Sequence, residues 1–208
     1  MFSGALVSGP VGTLSWTGVS FGGPAPDREL VLAWCATRST AGMSVIGGEI
    51  AGQSADIHVD QYNNSGGFYA RSGVRSVRDT STASGDVRFV FSAGVSMHAA
   101  LYRVTGLKSR VATDTQQDFT GGTGDLSVNS AIQPGGVTFA ALRTRAVLPT
   151  ATVTHSGVGT DYNYSVNPDT ITFGHQLSNF AATLAIETIA AGPGDSKFGH
   201  SIATASFK

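Results

Sequence analysis

The 208-residue chain contains only three Lys and three Glu, and 13% of its residues are charged. That is about half the share of an ordinary soluble domain, roughly 25%. Its polar surface must therefore come from Ser, Thr, Asn, Gln, Asp and Gly. Lys and Glu are depleted where a partner covers a surface; β-rich proteins also favour Ser, Thr and Gly. The net charge is −1, which does not fit a nucleic-acid backbone as partner. Cys35 is the only cysteine, so no intrachain disulfide forms and a disulfide-stapled secreted fold is excluded. It sits in the apolar run Leu30 to Cys35, where a buried, inert thiol is expected. No apolar run reaches the ~18 residues of a membrane-spanning helix. The opening MFSGALVSGPVG has no basic region of a signal peptide. The expectation is synthesis in a reducing cytoplasm, with no membrane insertion and no nucleic-acid partner.

Helical patterning is scarce as well. Arg71, Arg75 and Arg78 stand at helical spacing, but the Ser and Gly between them allow one turn at most. Phe180 to Ala191 has helical propensity, yet Leu184, Ile186 and Thr188 alternate with Thr183, Ala185 and Glu187, which reads as strand. What is abundant is strand and turn. Val87, Phe89 and Phe91 alternate in SGDVRFVFSAG, and a second run from Met97 to Val104 follows the Ser-Ala-Gly break. Glu29 to Ala36 is apolar on both parities, the mark of a central strand covered on both faces. Ile57 and Val59 lead into Asn63-Asn-Ser-Gly-Gly67 and then Phe68-Tyr69-Ala70, a hairpin with a loop of about five residues. Further strands are expected at 126–128, 137–148, 150–155, 162–166, 170–175, 180–189 and 197–207. Twelve or so short strands and 27 Gly define an all-β chain, read as a jelly-roll-like antiparallel β-sandwich. One domain over 1–208 is expected, with its loosest point at 119–125, because neither half repeats the other.

Catalytic templates fail on context. Gly18-Val-Ser-Phe-Gly22 has the letters of a nucleophile elbow, but Gly-Gly-Pro-Ala-Pro follows where a helix is required. Ser96 and His98 share a strand face with no acid placed beside them. His58, His98, His155, His175 and His200 show no metal-ligand spacing. Asp56 and Asp60, or Asp114 and Asp118, lack the Gly and Glu of a calcium loop, and a single β-loop calcium site is left open. Gly121-Gly-Thr-Gly124 lacks the Lys of a phosphate loop. No catalytic residue, metal or cofactor is assigned, and the chain is read as a non-enzyme.

Two groups remain. Tyr62, Phe68 and Tyr69 flank one turn, and Arg71, Arg75 and Arg78 read as loop anchors or interface forks. Tyr and Arg are the residues enriched in protein interfaces, and these six are the expected interface. Asn63, with Asp161, Tyr162 and Tyr164 in another loop, could stack on and hydrogen-bond a sugar ring.

The quoted elements carry a family likeness. Asp27-Arg-Glu-Leu-Val-Leu-Ala33 begins a strand just after Asp-Arg. Ser44-Val-Ile-Gly-Gly48 runs a strand into a double-Gly turn. Ser84-Gly-Asp-Val87 opens the third strand, and Leu101-Tyr-Arg-Val-Thr-Gly106 closes the fourth. In this order the segment from about 16 to 115 resembles a β-sandwich type encoded among the virion genes of tailed bacteriophages and prophages. One residue fewer precedes the Gly-Gly turn than in that type, and the half after residue 120 carries no likeness. The resemblance implies a non-enzymatic virion part made in the bacterial host: a capsid decoration, head-fibre or tail-associated protein. Such a part would self-associate, with a trimer favoured, and dock on other virion proteins. A carbohydrate-binding module for a host surface glycan is the alternative.

Overall fold

A computed structural model describes residues 2–38, 42–65, 68–120, 125–146, 152–166, 169–191 and 197–208. The strands are β1 (Phe2–Ser20), β2 (Glu29–Arg38), β3 (Val45–Ile50), β4 (Gln53–Ser54), β5 (Asp56–Ser65), β6 (Phe68–Arg78), β7 (Ser84–Val104), β8 (Asp114–Thr120), β9 (Leu126–Ile132), β10 (Gly136–Ala146), β11 (Thr152–Ser156), β12 (Gly159–Val166), β13 (Asp169–Ser178), β14 (Ala182–Ala191) and β15 (Lys197–Phe207). No helix occurs among the described residues. The all-β antiparallel sandwich expected from the sequence is what the chain forms.

Three sheets are present. The first has the order β4-β3-β7-β2-β6-β5, with β1 also on β7. The second is β12-β13-β10-β15-β8, and the third is β11-β14-β9. Every pairing is antiparallel. The first sheet folds over itself. The leading part of β7 pairs with β3 and the end of β1, and its trailing part pairs with β2 and the start of β1. Register shifts in β1 at Ser8, Val11 and Thr13 mark the bend, as bulges do where a sheet turns a corner. The Ser-Ala-Gly break expected to separate two strands is thus a bend within one 21-residue strand.

Three apolar cores separate the layers. Leu30, Leu32 and Trp34 of β2 meet Leu14, Val87 and Phe89 inside the folded first sheet. Val31, Ala33 and Cys35, on the other face of β2, meet Phe139 and Ala141 of β10 with Phe173 and Ala205 of the second sheet. The opposite face of β10, Ala140 and Leu142, meets Val128 and Ile186 of the third sheet. The expectation that β2 is central and covered twice holds, and the second cover is another sheet. Cys35 is fully buried, and desolvation pushes its thiol up to about 12, against a smaller opposing effect of Arg143.

Other expectations are revised. Arg71, Arg75 and Arg78 lie on strand β6, with no helical turn, because Gly73 and the pairing with β2 and β5 hold the segment extended. Ser65 pairs with Phe68, so the hairpin turn is tighter than five residues. The strand Asp114–Thr120 was not expected. Its side chains are polar on both parities, which is tolerable because it is an edge strand on β15.

Arg28 ties the loops together from inside. Its side chain is fully buried. Nε donates to the Asp79 carbonyl at 2.5 Å, Nη1 to the carbonyls of Gly22 (3.0 Å) and Gly23 (3.1 Å), and Nη2 to that of Thr82 (2.5 Å). Asp79 supplies the counter-charge at 3.3 Å. It also accepts from the backbone N–H of Ser81 and Thr82 and from the Thr82 hydroxyl. One side chain therefore locks the loop after β1 to the loop after β6. Breaking a buried ion pair by removing one partner costs about 3–5 kcal/mol. Arg28→Met is expected to lower stability by about that amount in urea titration, and a loss under about 1 kcal/mol would refute this role. In the native protein Cys35 is expected to resist a thiol reagent that labels it fully once the chain is unfolded.

Candidate functional site: an arginine–tyrosine cluster and a tyrosine–histidine seam

The β5–β6 register sets Tyr62 opposite Arg71 and places Tyr69 on the neighbouring diagonal. Cross-strand diagonals are within reach of aromatic side chains, and the Tyr62 and Tyr69 rings stack at 6.3 Å. The Arg71 guanidinium lies over the Tyr62 ring at 5.1 Å. Its Nε donates to the Met43 carbonyl at 3.1 Å and its Nη1 to Asp60 Oδ1 at 2.8 Å. Arg75 Nη2 approaches Asp60 Oδ2 at 3.7 Å, and its guanidinium covers Phe89 at 5.4 Å. Burial pulls the Arg75 pKa down and Asp60 opposes that; a guanidinium nonetheless keeps its charge.

Two guanidinium groups thus share one carboxylate, and the cluster is net positive. Arg71 and Asp60 are each about a fifth exposed, while Arg75 is only 4% exposed. The backbone is shaped for this. A Cβ on Gly48 would stand 2.8 Å from Arg75 Nη1, and one on Gly73 would stand 2.6 Å from the Val59 carbonyl and 2.8 Å from Trp34 Nε1. Chemically the cluster is a stacked aromatic ledge beside an under-neutralised cation, suited to a carboxylate or an acidic side chain.

Four of the six residues expected at an interface are therefore gathered: Tyr62, Tyr69, Arg71 and Arg75. Arg78 sits at the far end of β6 and donates to the Pro26 carbonyl at 2.8 Å. The side chain of Phe68 lies outside the described residues. Asp60 and Gly48 were not singled out in the sequence as members. Asp60 alternates with Ile57 and Val59 like any strand residue, so no local signal marks it.

The second expected group divides. Asn63 is corrected: it is a fully buried residue of β5 whose Nδ2 donates to the His200 carbonyl at 3.1 Å, so it faces no sugar. Asp161, Tyr162 and Tyr164 lie on β12, a strand of the second sheet that covers the strand expected at 162–166, so the loop given to them in the sugar-binding reading is corrected. There they meet β7 across the layers. The Tyr162 hydroxyl is 3.1 Å from His98 Nδ1, and the Tyr164 ring centroid is 4.3 Å from that of His98. Asp161 Oδ2 is 2.6 Å from His175 Nδ1. Desolvation and the adjacent Asp161 carboxylate, to which it hydrogen-bonds, push the Tyr102 phenol far up. Desolvation lowers His98, with Asp169 opposing. The seam joins the first and second sheets and leaves its hydroxyls and rings mostly facing one another.

Several other charged groups are engaged within the chain. Asp56 meets Arg110 at 3.2 Å, and Arg110 also meets Glu29 at 3.2 Å. Asp114 accepts from the Ala131 N–H at 2.7 Å. Ser20 is an exposed strand end whose Oγ accepts from the Gly22 N–H at 3.4 Å. Among the described residues no group of three or more His, Cys, Asp or Glu is placed to hold a metal ion. A shallow groove of about 410 Å³ lies beside Glu49, Asp86 and Arg88, with Arg88 and Glu49 paired at 3.6 Å and both half exposed.

His155 and His200 converge on one hydroxyl, Thr144 Oγ1, at 3.0 and 2.9 Å. Burial, with His200 nearby, pushes the His155 imidazole down to about 4.

Comparison with known proteins finds no matching family model, no matching curated protein and no matching solved structure.

Two outcomes follow from these contacts. Asp60→Asn strips the counter-charge from a buried Arg75 and is expected to cost about 2–4 kcal/mol in denaturant titration. Arg88→Ala, at an exposed pair, is expected to change stability by less than about 0.5 kcal/mol; equal losses would contradict the assignment. His155 has a folded pKa below its ordinary value near 6.5, so the unfolded chain takes up the proton first. Its contribution is complete above about pH 6.5 and is lost as pH falls toward 4, at about 1.4 kcal/mol per pH unit and about 3 kcal/mol in all. Urea midpoints at pH 7 and pH 4.5 are expected to converge partly in His155→Gln, and an unchanged gap would refute this.

Proposed function

We propose that this protein is a non-enzymatic structural component of a tailed-phage virion, working by self-association and by docking on other virion proteins. The observation that carries the reading is where the charge goes. Arg28 with Asp79, Arg71 and Arg75 with Asp60, Arg110 with Glu29 and Asp56, and Arg143 with Asp169 are engaged within the chain. Outside, scattered apolar side chains such as Ile46, Ile57, Val111, Leu177 and Phe180 stand exposed among small polar residues. A stacked-sheet body of this kind is suited to holding a surface in place. The likeness over residues 16–115 supports the virion setting. The Tyr62, Tyr69 and Arg71 cluster is the docking surface in this reading.

Light scattering across a wide concentration range is expected to show a closed oligomer, a trimer, and mass spectrometry of purified particles to find the protein. A monomer at high concentration that is missing from particles would overturn the proposal.

A second reading is a carbohydrate-binding module. The stacked Tyr62–Tyr69 ledge beside Arg71 favours it, and the residual positive charge selects acidic sugars. An array of neutral and acidic glycans is expected to show retention of the acidic ones alone, weakened at least tenfold by Arg71→Ala. No retention by the assembled protein would remove this reading.

A further inference from the structure

Arg143 is buried to 1% exposure at one end of the core between the first and second sheets. Its Nη2 reaches Asp169 Oδ1 at 2.5 Å, but Nε and Nη1 have no hydrogen-bond partner among the described residues. Three N–H groups of one cation are thus left without acceptors. Such a group is costly to bury unless something accepts from it.

It does not stand alone. The strand registers align Ser201, Arg143, Ile171 and Tyr164 in one row across β15, β10, β13 and β12. Ser72, Cys35 and His98 form a row across β6, β2 and β7. The His98–Tyr164 ring contact and the Asn63–His200 hydrogen bond set these rows face to face. In them Ser201 Oγ and Ser72 Oγ are also fully buried without partners among the described residues, and so is Asn63 Oδ1 outside the rows. The middle of this interface is apolar, and the buried polar groups at its other end, Glu29 and Ser76, bond to each other. The unsatisfied atoms are mainly donors: a guanidinium edge and two hydroxyls.

We infer that the polar end of the first-to-second-sheet interface is a binding site for a small monoanion of the carboxylate or halide class, held by Arg143 with Ser201 and Ser72. Water could accept some of these hydrogen bonds. Water does not answer the charge, because the one carboxylate bound to Arg143 is itself about a quarter exposed and the guanidinium field reaches Cys35 with no carboxylate opposing it there. The near-complete burial of Arg143, Ser201 and Ser72 limits the ligand to a few atoms. This site is separate from the Arg71 cluster and does not depend on the proposed function.

The test uses the whole chain at constant ionic strength, replacing a bulky sulfonate salt with chloride, formate or acetate. Thermal unfolding of the native protein is expected to rise and saturate with one of these ions, by about 5–10 °C at a hundredfold excess over Kd. Arg143→Met is expected to give a flat response, and Ser201→Ala to weaken Kd several-fold while keeping the fold. A native protein indifferent to all three ions would overturn the inference and leave the rows to water. An undiminished response in Arg143→Met, or in Ser201→Ala should the former not fold, would place the ion elsewhere and overturn it equally.

Discussion

The structure depends on one strand being buried on both faces. β2 gives Leu30, Leu32 and Trp34 to the core inside the folded first sheet, and Val31, Ala33 and Cys35 to the core against the second sheet. A strand with one polar face would end the stack there. Because β2 has none, a second sheet must cover it, and β10 does so with the same two-faced character. The layers follow from repeating this demand until a sheet is reached whose outer face can meet water.

Charge obeys the same logic. With so few ionic groups, each arginine in the layers needs its own acceptor close at hand. Arg28 finds five backbone carbonyls, that of Phe21 included, and Asp79, which makes it a rivet for two loops. Arg71 and Arg75 share Asp60, which leaves a local surplus of positive charge beside two stacked tyrosines. Arg143 is engaged on one edge only. The surplus of charge is greatest at Arg71 and Arg75, and the shortage of hydrogen-bond acceptors is greatest at Arg143.

The fold was more legible in the sequence than the site. Alternation marks β14, only the start of β9 is expected at 126–128, and the double parity of Glu29 to Ala36 correctly marks a strand covered twice. β8 was not legible, because an edge strand of Asp, Thr and Gln carries no apolar period. The bend in β7 was read as a break, since Ser-Ala-Gly looks the same in both. Tyr62, Tyr69 and Arg71 are near one another in the sequence, on either side of one turn, so their grouping is legible there. The partner Asp60 is not, because the pairing of Asp60 with both arginines is a fact of register. Asn63 was misplaced for a related reason: an Asn-Asn-Ser-Gly-Gly run signals a turn, but its first three residues continue the strand and the first is buried.

The pairing of β1 with β7 sets a timetable for synthesis. Ser20 waits for Ser84, and Phe2 for Tyr102. On a ribosome adding ~5–20 residues per second, the opening strand spends several seconds outside the exit tunnel with its backbone groups unclaimed. It carries no lysine to discourage a neighbouring chain from annealing to it. Polysomes making many copies at once would bring such nascent strands side by side, so the hazard for this protein lies in crowded translation, before its partner strand exists.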